Sequence, residues 1–302
     1  MITNIPTLSV AQEGAIVGGS LGEDDESLRG RAKLYLASLV RCQPAALEYL
    51  AKSFVSSTGV SFKHARVFED PERPGYAELI VDDGSGMGGF VSDGAVISDT
   101  APSGGQATLF FESPAADAPE LYVGGVQQEF NPGPYPAPVV LEERGIMYLQ
   151  KSEKLSSGTA WELKNYKVLT GPLRELQAVV EGDPKNPLGA AGWRAAGTRI
   201  RVLPPTIQFF ELDLRVLLKS YSDIEKQKAQ ITDVVTEFVS NLGPGDPLRF
   251  SPLCADVLNK VAAVTDCHVQ KPTGDRLEPN TPKHCLRLDL GLFDIIPGMV
   301  TD

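Results

Sequence analysis

Four groups of residues in this 302-residue chain have types and spacings that could do chemistry. The first is Gly18-Gly19-Ser20-Leu21-Gly22, which matches the G-x-S-x-G turn that presents a nucleophilic serine, and it lies between the apolar run AIV and a helix-like segment. Such a serine needs a histidine base within hydrogen-bond reach, and its turn rises from a sheet already built by preceding strands. Only 19 residues precede Ser20, and of His64, His268 and His284 the last two lie beyond the whole middle of the chain. The expected reading is a Gly-rich loop entering a helix, with a serine hydrolase using Ser20 as an alternative.

The second group, Gly84-Ser85-Gly86-Met87-Gly88-Gly89, satisfies G-x-G-x-x-G directly after the strand-like YAELIVDD. Dinucleotide binding requires a helix next, so that its N-terminal amides hold the pyrophosphate. The turn-rich FVSDGAVISDTAPSGG follows instead, and no cofactor is expected. The third group, Cys254, Cys267, His268, His284 and Cys285, contains zinc-ligand types. Neighbouring residues on a strand point to opposite faces, so neither Cys-His nor His-Cys can aim both side chains at one metal, and there is no C-x-x-C. The expectation is buried free thiols and ordinary histidines without a metal. The fourth group is the paired carboxylates Asp82-Asp83 and Glu142-Glu143, which lie in or beside turns and read as solvated loop acids rather than a general acid/base pair. Trp161, Tyr166 and Trp193 read as core aromatics, with surface stacking on carbohydrate as the alternative. No catalytic, cofactor-binding or metal residue is assigned, and no interface residue either, because apolar surface and apolar core look alike in a sequence.

Elements of several kinds must carry these groups. With 42% hydrophobic and 22% charged residues the chain has ample material for one or two cores, which excludes a disordered or disulfide-stapled peptide. Lys+Arg 28 against Asp+Glu 39 gives a net charge of −11. The acidic excess is spread evenly over residues 1–83, 84–204 and 205–302, so no segment has the basic face that neutralises phosphates, and no nucleic-acid partner is expected. No uninterrupted apolar run of about 18 residues is present to span a bilayer. No Lys or Arg precedes Arg29 and no secretory apolar core follows Met1, so no signal peptide is read. Four cysteines, with Cys42 the remaining one, lack regular spacing and suit a reducing compartment.

Gly and Pro mark the boundaries, with 28 of them among residues 84–204 and 24 in the rest of the chain. The middle stretches ATLFFES, ELYVGGVQQEF, APVVLEE, GIMYLQK, AWELKNYKVL and LRELQAVVEG are short and rich in Val, Tyr, Phe and Leu, the pattern of a small antiparallel β domain. Before it, Leu28, Ala32, Tyr35, Leu36 and Leu39 trace one face of an amphipathic helix that starts at the acidic run Glu23 to Glu26. Pro44 opens a second helix carrying Leu47, Leu50, Ala51 and Phe54, and the strands HARVFED and YAELIVDD follow. After the middle region, TIQFFELDLRVLLK alternates Phe210, Leu212, Leu214, Val216 and Leu218 on one face of a long strand. Helices through Ile231, Val234, Val235, Phe238 and Leu242 and through Leu253, Val257, Leu258 and Val261 come next, then strands near VTDCHVQ and HCLRLDL. The fold class expected is α+β: two small ααββ modules flanking an inserted antiparallel β domain. The divisions expected are an extended arm over 1–22, the first module over 23–83, the β domain over 84–198, and the long strand with the second module over 199–302.

Several of these stretches, in order, resemble the baseplate J-like family of contractile phage tails and related injection systems. Gly18-Gly19, the acidic Glu23 to Glu26 with Ser27, and Arg29-Gly30-Arg31-Ala32 are similar to the family's Gly-Gly, acidic, Glu-Ser, Arg-Ala pattern. Leu47-Glu48-Tyr49-Leu50-Ala51, then Gly59-Val60 before HARVF, resemble its next segments. Gly192-Trp193-Arg194-Ala195-Ala196-Gly197, the long strand, Leu242-Gly243-Pro244-Gly245, Ser251, Leu253 and VAAVTDCHV resemble its C-terminal part. Lys33 stands where the family often has Pro, residues 84–190 exceed its usual linker, and most members carry an additional N-terminal part. The resemblance implies a baseplate wedge subunit without catalytic residues. It would assemble with itself or a paralogue and with other wedge proteins around the tail hub, with sheath-initiating or fibre proteins as further partners. It would be made in the host cytoplasm and reside in the virion tail. A receptor- or fibre-binding β module of a tail is the alternative from the same setting.

Overall fold

A computed structural model describes residues 43–71, 73–128, 139–149, 154–182, 192–194, 198–219 and 223–299. The Gly18–Gly22 turn with Ser20, the helix expected from Glu23 to Leu39, and Cys42 lie outside the described residues. The described chain is α+β, with more strand than helix. In chain order the helices are α1 (Pro44–Ser53), α2 (Gly171–Glu181), α3 (Ile224–Ser240) and α4 (Phe250–Lys260). The strands are β1 (His64–Glu69), β2 (Tyr76–Asp82), β3 (Val91–Asp93), β4 (Ile97–Thr100), β5 (Thr108–Phe110), β6 (Glu120–Val123), β7 (Val126–Gln127), β8 (Val139–Leu141), β9 (Ile146–Tyr148), β10 (Ala160–Lys164), β11 (Lys167–Leu169), β12 (Arg199–Leu203), β13 (Thr206–Leu218), β14 (Leu248–Arg249), β15 (Val264–Lys271), β16 (Arg276–Leu277) and β17 (His284–Met299).

Three cores hold these elements. In the first, α1 and α2 cover one three-stranded sheet of order β1-β2-β12, with β1 antiparallel and β12 parallel to the central β2. Pro44 fits the first turn of α1 because that turn's N–H groups have no intrahelical acceptor. Leu47, Leu50 and Ala51 then fall on the buried face, and Phe54, just past the helix, packs against the same core. The segment LRELQAVVEG corrects the strand reading, because it forms most of α2. Pro172 opens that helix, Leu173, Leu176, Gln177 and Val180 recur at helical spacing on its buried face, and Gly182 follows its end at φ +75°. This helix and Met87, Leu169, Ile200 and Val202 belong to the first core, so the core draws on chain well past residue 84.

Gln177 also closes a sheet edge. Its amide nitrogen donates to the Ile200 carbonyl (2.9 Å) and its oxygen accepts the Val202 N–H (2.7 Å), standing in for a strand beside β12. An open edge would otherwise offer these groups to another chain.

The second core lies in the middle region. There the sheets β4-β10-β6-β7 and β5-β9-β8 enclose Leu109, Leu121, Met147, Trp161, Leu163 and Tyr166. In the third, α3 and α4 cover a sheet of order β15-β13-β17, again with one antiparallel and one parallel neighbour about the central strand. Phe210, Leu212, Leu214, Val216 and Leu218 all face this core, as the alternation requires, and burying each contributes about 1.5–3 kcal/mol. Ile231, Val234, Val235 and Val239 of α3 meet Leu253 and Val257 of α4 above them, while Leu258 stays exposed. Opposite Glu211 the ladder is interrupted and β17 carries the extra residues Asp289 to Leu292.

Candidate functional site

The residues with chemical potential gather where the first and third cores meet. Asp82, at the end of β2, is fully buried and forms an ion pair with Arg287 of β17, whose side chain is only 10% exposed. The other Asp82 oxygen accepts the Gly86 N–H at 2.7 Å, and the Cys285 thiol lies 4.0 Å from the carboxylate. Arg287 also donates to the carbonyls of Leu286 (2.7 Å), Leu242 (3.3 Å) and Val239 (3.4 Å), so one guanidinium gathers the end of β2, the end of α3 and β17. Around this pair Arg66 donates to Pro244 at 2.9 Å, and Lys283 to Glu78 at 2.6 Å. A carboxylate with no solvent contact keeps its charge only with a paired cation and satisfied lone pairs, and both are supplied here. The solvated-acid reading of Asp82 is therefore corrected: the loop after β2 folds back over it, while Asp83 turns outward and accepts Ser85 N–H and Oγ–H.

The Gly84–Gly89 loop serves this junction. Gly84 and Gly86 adopt φ +100° and +90°, and a Cβ on Gly86 would come within 2.5 Å of Ile207 on β13. A short 3-10 turn and then β3 follow the loop in the chain, not an α-helix. The glycines here permit close approach of two cores.

His64 borders a cleft of about 270 Å³ lined by Glu48, Lys52, Arg66, Pro244 and Asp246. Desolvation lowers its pKa, opposed by Asp82 and Asp246, so it is held neutral at pH 7. Burial, with the nearby Asp82 charge, pushes the Cys285 thiol up to about 12, which leaves it protonated and unreactive near neutrality. The thiol thus stays protonated beside a carboxylate whose oxygens are engaged by Arg287 and the Gly86 N–H.

A second charged cluster joins the middle region to the first sheet. Arg199 donates through Nε and Nη2 to the two Glu143 oxygens (3.0 and 2.9 Å), and further to Glu142 (3.0 Å) and the Val140 carbonyl (2.9 Å). Arg201 pairs with Glu142 at 3.3 Å and donates to Tyr76 Oη at 2.8 Å, and also to the Ala116 carbonyl. Arg73 and Arg199 lie over the Tyr76 ring, 3.9 and 5.4 Å from its centroid. Glu142 and Glu143 are thus buried ion-pair partners rather than solvated acids, because the β8–β9 turn docks against β12. A cavity of about 490 Å³, lined in part by Tyr76, Arg199, Leu47 and Val67, opens beside the cluster.

The Cys/His set separates. Cys285 faces Asp82, Cys267 faces the third core beside Cys254, and His268 is exposed on the opposite face of β15. His284 hydrogen-bonds Thr281 at 2.5 Å. Among the described residues no three His, Cys, Asp or Glu side chains converge as a metal site. Comparison with protein-family models and with curated proteins finds no match. Among the described residues no helix is long and apolar enough to cross a membrane.

Trp161 is buried in the second core and donates to Gln106 at 3.2 Å, Tyr166 is buried beside it, and Trp193 is half-buried against the first core. Trp161 and Tyr166 therefore serve the second core, as core aromatics. Two apolar surfaces that the sequence reading missed lie elsewhere. On the outer face of β5-β9-β8, Phe110 (61% exposed), Tyr148 (42%) and Val139 (47%) form neighbouring rows with Ile146 and Leu141. On the third sheet, Phe209, Leu290 and Leu292 are exposed around the interruption in β17. The period-2 alternation in TLF, IMY and VVL carries a signal for the first of these, since apolar residues occupy both faces of each strand.

Proposed function

We propose that this chain is a structural subunit of a phage-type contractile-tail baseplate, acting by association with copies of itself or a paralogue and with other wedge proteins. The observation that carries the reading is the contact between two stretches quoted for the family resemblance and far apart in sequence. The HARVF strand after Gly59-Val60 and the Leu242-Gly243-Pro244-Gly245 turn pack on one another. Arg66 donates to the Pro244 carbonyl, and a Cβ on Gly245 would meet Arg66 Nη1 at 2.9 Å and the Pro282 carbonyl at 2.8 Å. A glycine is required at that turn by its φ of +79° and by this approach. Two α/β cores joined by a buried ion pair form a body able to transmit force between neighbours, and exposed apolar surface of this kind marks protein contacts.

A second reading, a receptor- or fibre-binding β module, is favoured by the Phe110, Tyr148 and Val139 face, which belongs to the middle region. Both readings are tested by fractionating tail particles from the source lysate on a density gradient and probing for the protein. Co-sedimentation with tails at a fixed ratio to the tail tube protein is expected. A protein confined to the soluble fractions would overturn both.

A further inference from the structure

We propose that the cleft on the outer face of the sheet β4-β10-β6-β7 binds an uncharged hexopyranose. The alternation of β10 puts Trp161 and Leu163 into the second core and Ala160, Glu162 and Lys164 on the opposite face. Register then builds two rows there. Ser98, Glu162, Tyr122 and Gln127 stand side by side across the four strands, and Thr100, Ala160 and Gly124 form the next row. Ala160 and Gly124 are too small to fill their row, and an open cleft of about 520 Å³ lies over them, lined also by Ser98, Thr100, Tyr122 and Glu162. Gly124 and Gly125 make the β6–β7 turn at φ +59° and +83°, and a Cβ on Gly124 would meet nothing within 4 Å. The turn demands the glycine, and the space above it is left free.

The groups around the cleft select the ligand. The Ser98 and Thr100 hydroxyls both donate and accept, the Glu162 carboxylate accepts, and the Tyr122 ring supplies an apolar wall. A pyranose carries the complement, with hydroxyls around its rim and C–H groups on its faces. Among the described residues no Lys or Arg lines the cleft, whereas Asp99 and Glu162 do, which disfavours phosphate, sulfate and uronate. No Leu, Ile, Val, Met or Phe among the described residues lines it either, which leaves a peptide without an apolar anchor point. The walls are already fixed by their neighbours. Lys164 Nζ lies 3.1 Å from Glu162 and 3.9 Å from the centroid of the Tyr122 ring, and Tyr122 Oη donates to Glu120 at 2.8 Å. Lys164 and Glu120 pair in the row beyond Glu162 and Tyr122, so they brace these two from the side away from the cleft. Side chains held in this way lose little freedom on binding, and an open site of this kind supports a Kd of about 1 mM for one sugar ring.

Saturation-transfer difference NMR on the purified full-length protein tests this with methyl α-glucopyranoside, methyl β-galactopyranoside and N-acetylglucosamine, and with glucuronic acid as the anionic control. Transfer to at least one of the neutral sugars, and less to glucuronate, is expected. Ala160→Trp fills the cleft and should abolish the signal, with circular dichroism as the check on its fold. Glu162→Gln keeps the shape of a partly exposed side chain and should weaken binding about tenfold through loss of a charge-assisted hydrogen bond, so the test stands even if the Trp variant fails to fold. Sugar binding by the purified protein is independent of the baseplate reading, which co-sedimentation with tails tests separately, so either can fail alone. No transfer to any of the neutral sugars, binding unchanged in Glu162→Gln, or stronger transfer to glucuronate would each overturn the proposal.

Discussion

Replacing Asp82 by Ala tests the junction between the first and third cores. The substitution leaves the Arg287 guanidinium buried without its anion and removes the acceptor of the Gly86 N–H. Breaking one side of a buried ion pair costs about 3–5 kcal/mol, and an orphaned buried N–H costs about 1–3 kcal/mol. The terms overlap, because water entering the space left by the carboxylate solvates both groups, and a net loss of about 4 kcal/mol is expected. Three carbonyls from α3 and β17 still hold the guanidinium, so the damage falls on the union of the two cores more than on either core. Urea unfolding followed by circular dichroism and by tryptophan fluorescence reads this directly. Trp193 packs on the first core, Trp161 lies in the second, and the third contains neither, so a separated third core gives a circular dichroism transition without fluorescence change. Asp82→Leu with Arg287→Met removes both charges and is expected to recover most of the loss, because no unpaired ion remains. A single-variant loss under about 1 kcal/mol, or a double variant no more stable than the single, would refute the assignment of the pair as the tie.

Gly86→Ala is expected to destabilise by about 1–3 kcal/mol, since it forces a Cβ against Ile207 at positive φ. Ile207→Ala in the same chain should restore only the steric part in thermal melts. Gln177→Ala leaves the Ile200 carbonyl and Val202 N–H without partners and should cost about 2 kcal/mol, with a shifted urea midpoint as the readout. His64 has a folded pKa below its unfolded value of 6.5, so its contribution is fully present above pH 6.5 and is lost as the pH falls through the lower folded value. Stability measured from pH 7 downward should fall less steeply in His64→Gln.

The parts of the fold set by local rules were legible. Pro44 and the Leu47, Leu50, Ala51 spacing give α1, and the alternation from Phe210 to Leu218 gives the longest core strand. The helix α2 reads as strand in the sequence because its Val179-Val180 and Leu residues sit among β segments, although Leu173, Leu176, Gln177 and Val180 have helical spacing. Parallel pairing of β2 with β12 and of β13 with β17 leaves no local trace, since the partners lie far apart in the chain. The same holds for the site. Asp82, Glu142 and Glu143 look like loop acids until the distant Arg287, Arg199 and Arg201 reach them, and charge pairing of that range is decided by tertiary approach. Cys267 and His268 diverge as strand geometry requires, which was readable from the dipeptide itself.

Immunogold electron microscopy of tail particles, with antibody against the 302-residue protein, tests the baseplate assignment most directly. Gold at the end of the tail distal to the capsid, in both extended and contracted particles, is the result expected of a wedge subunit. Gold along the sheath, at the capsid, or on no particle while the antigen is abundant in solution would contradict it.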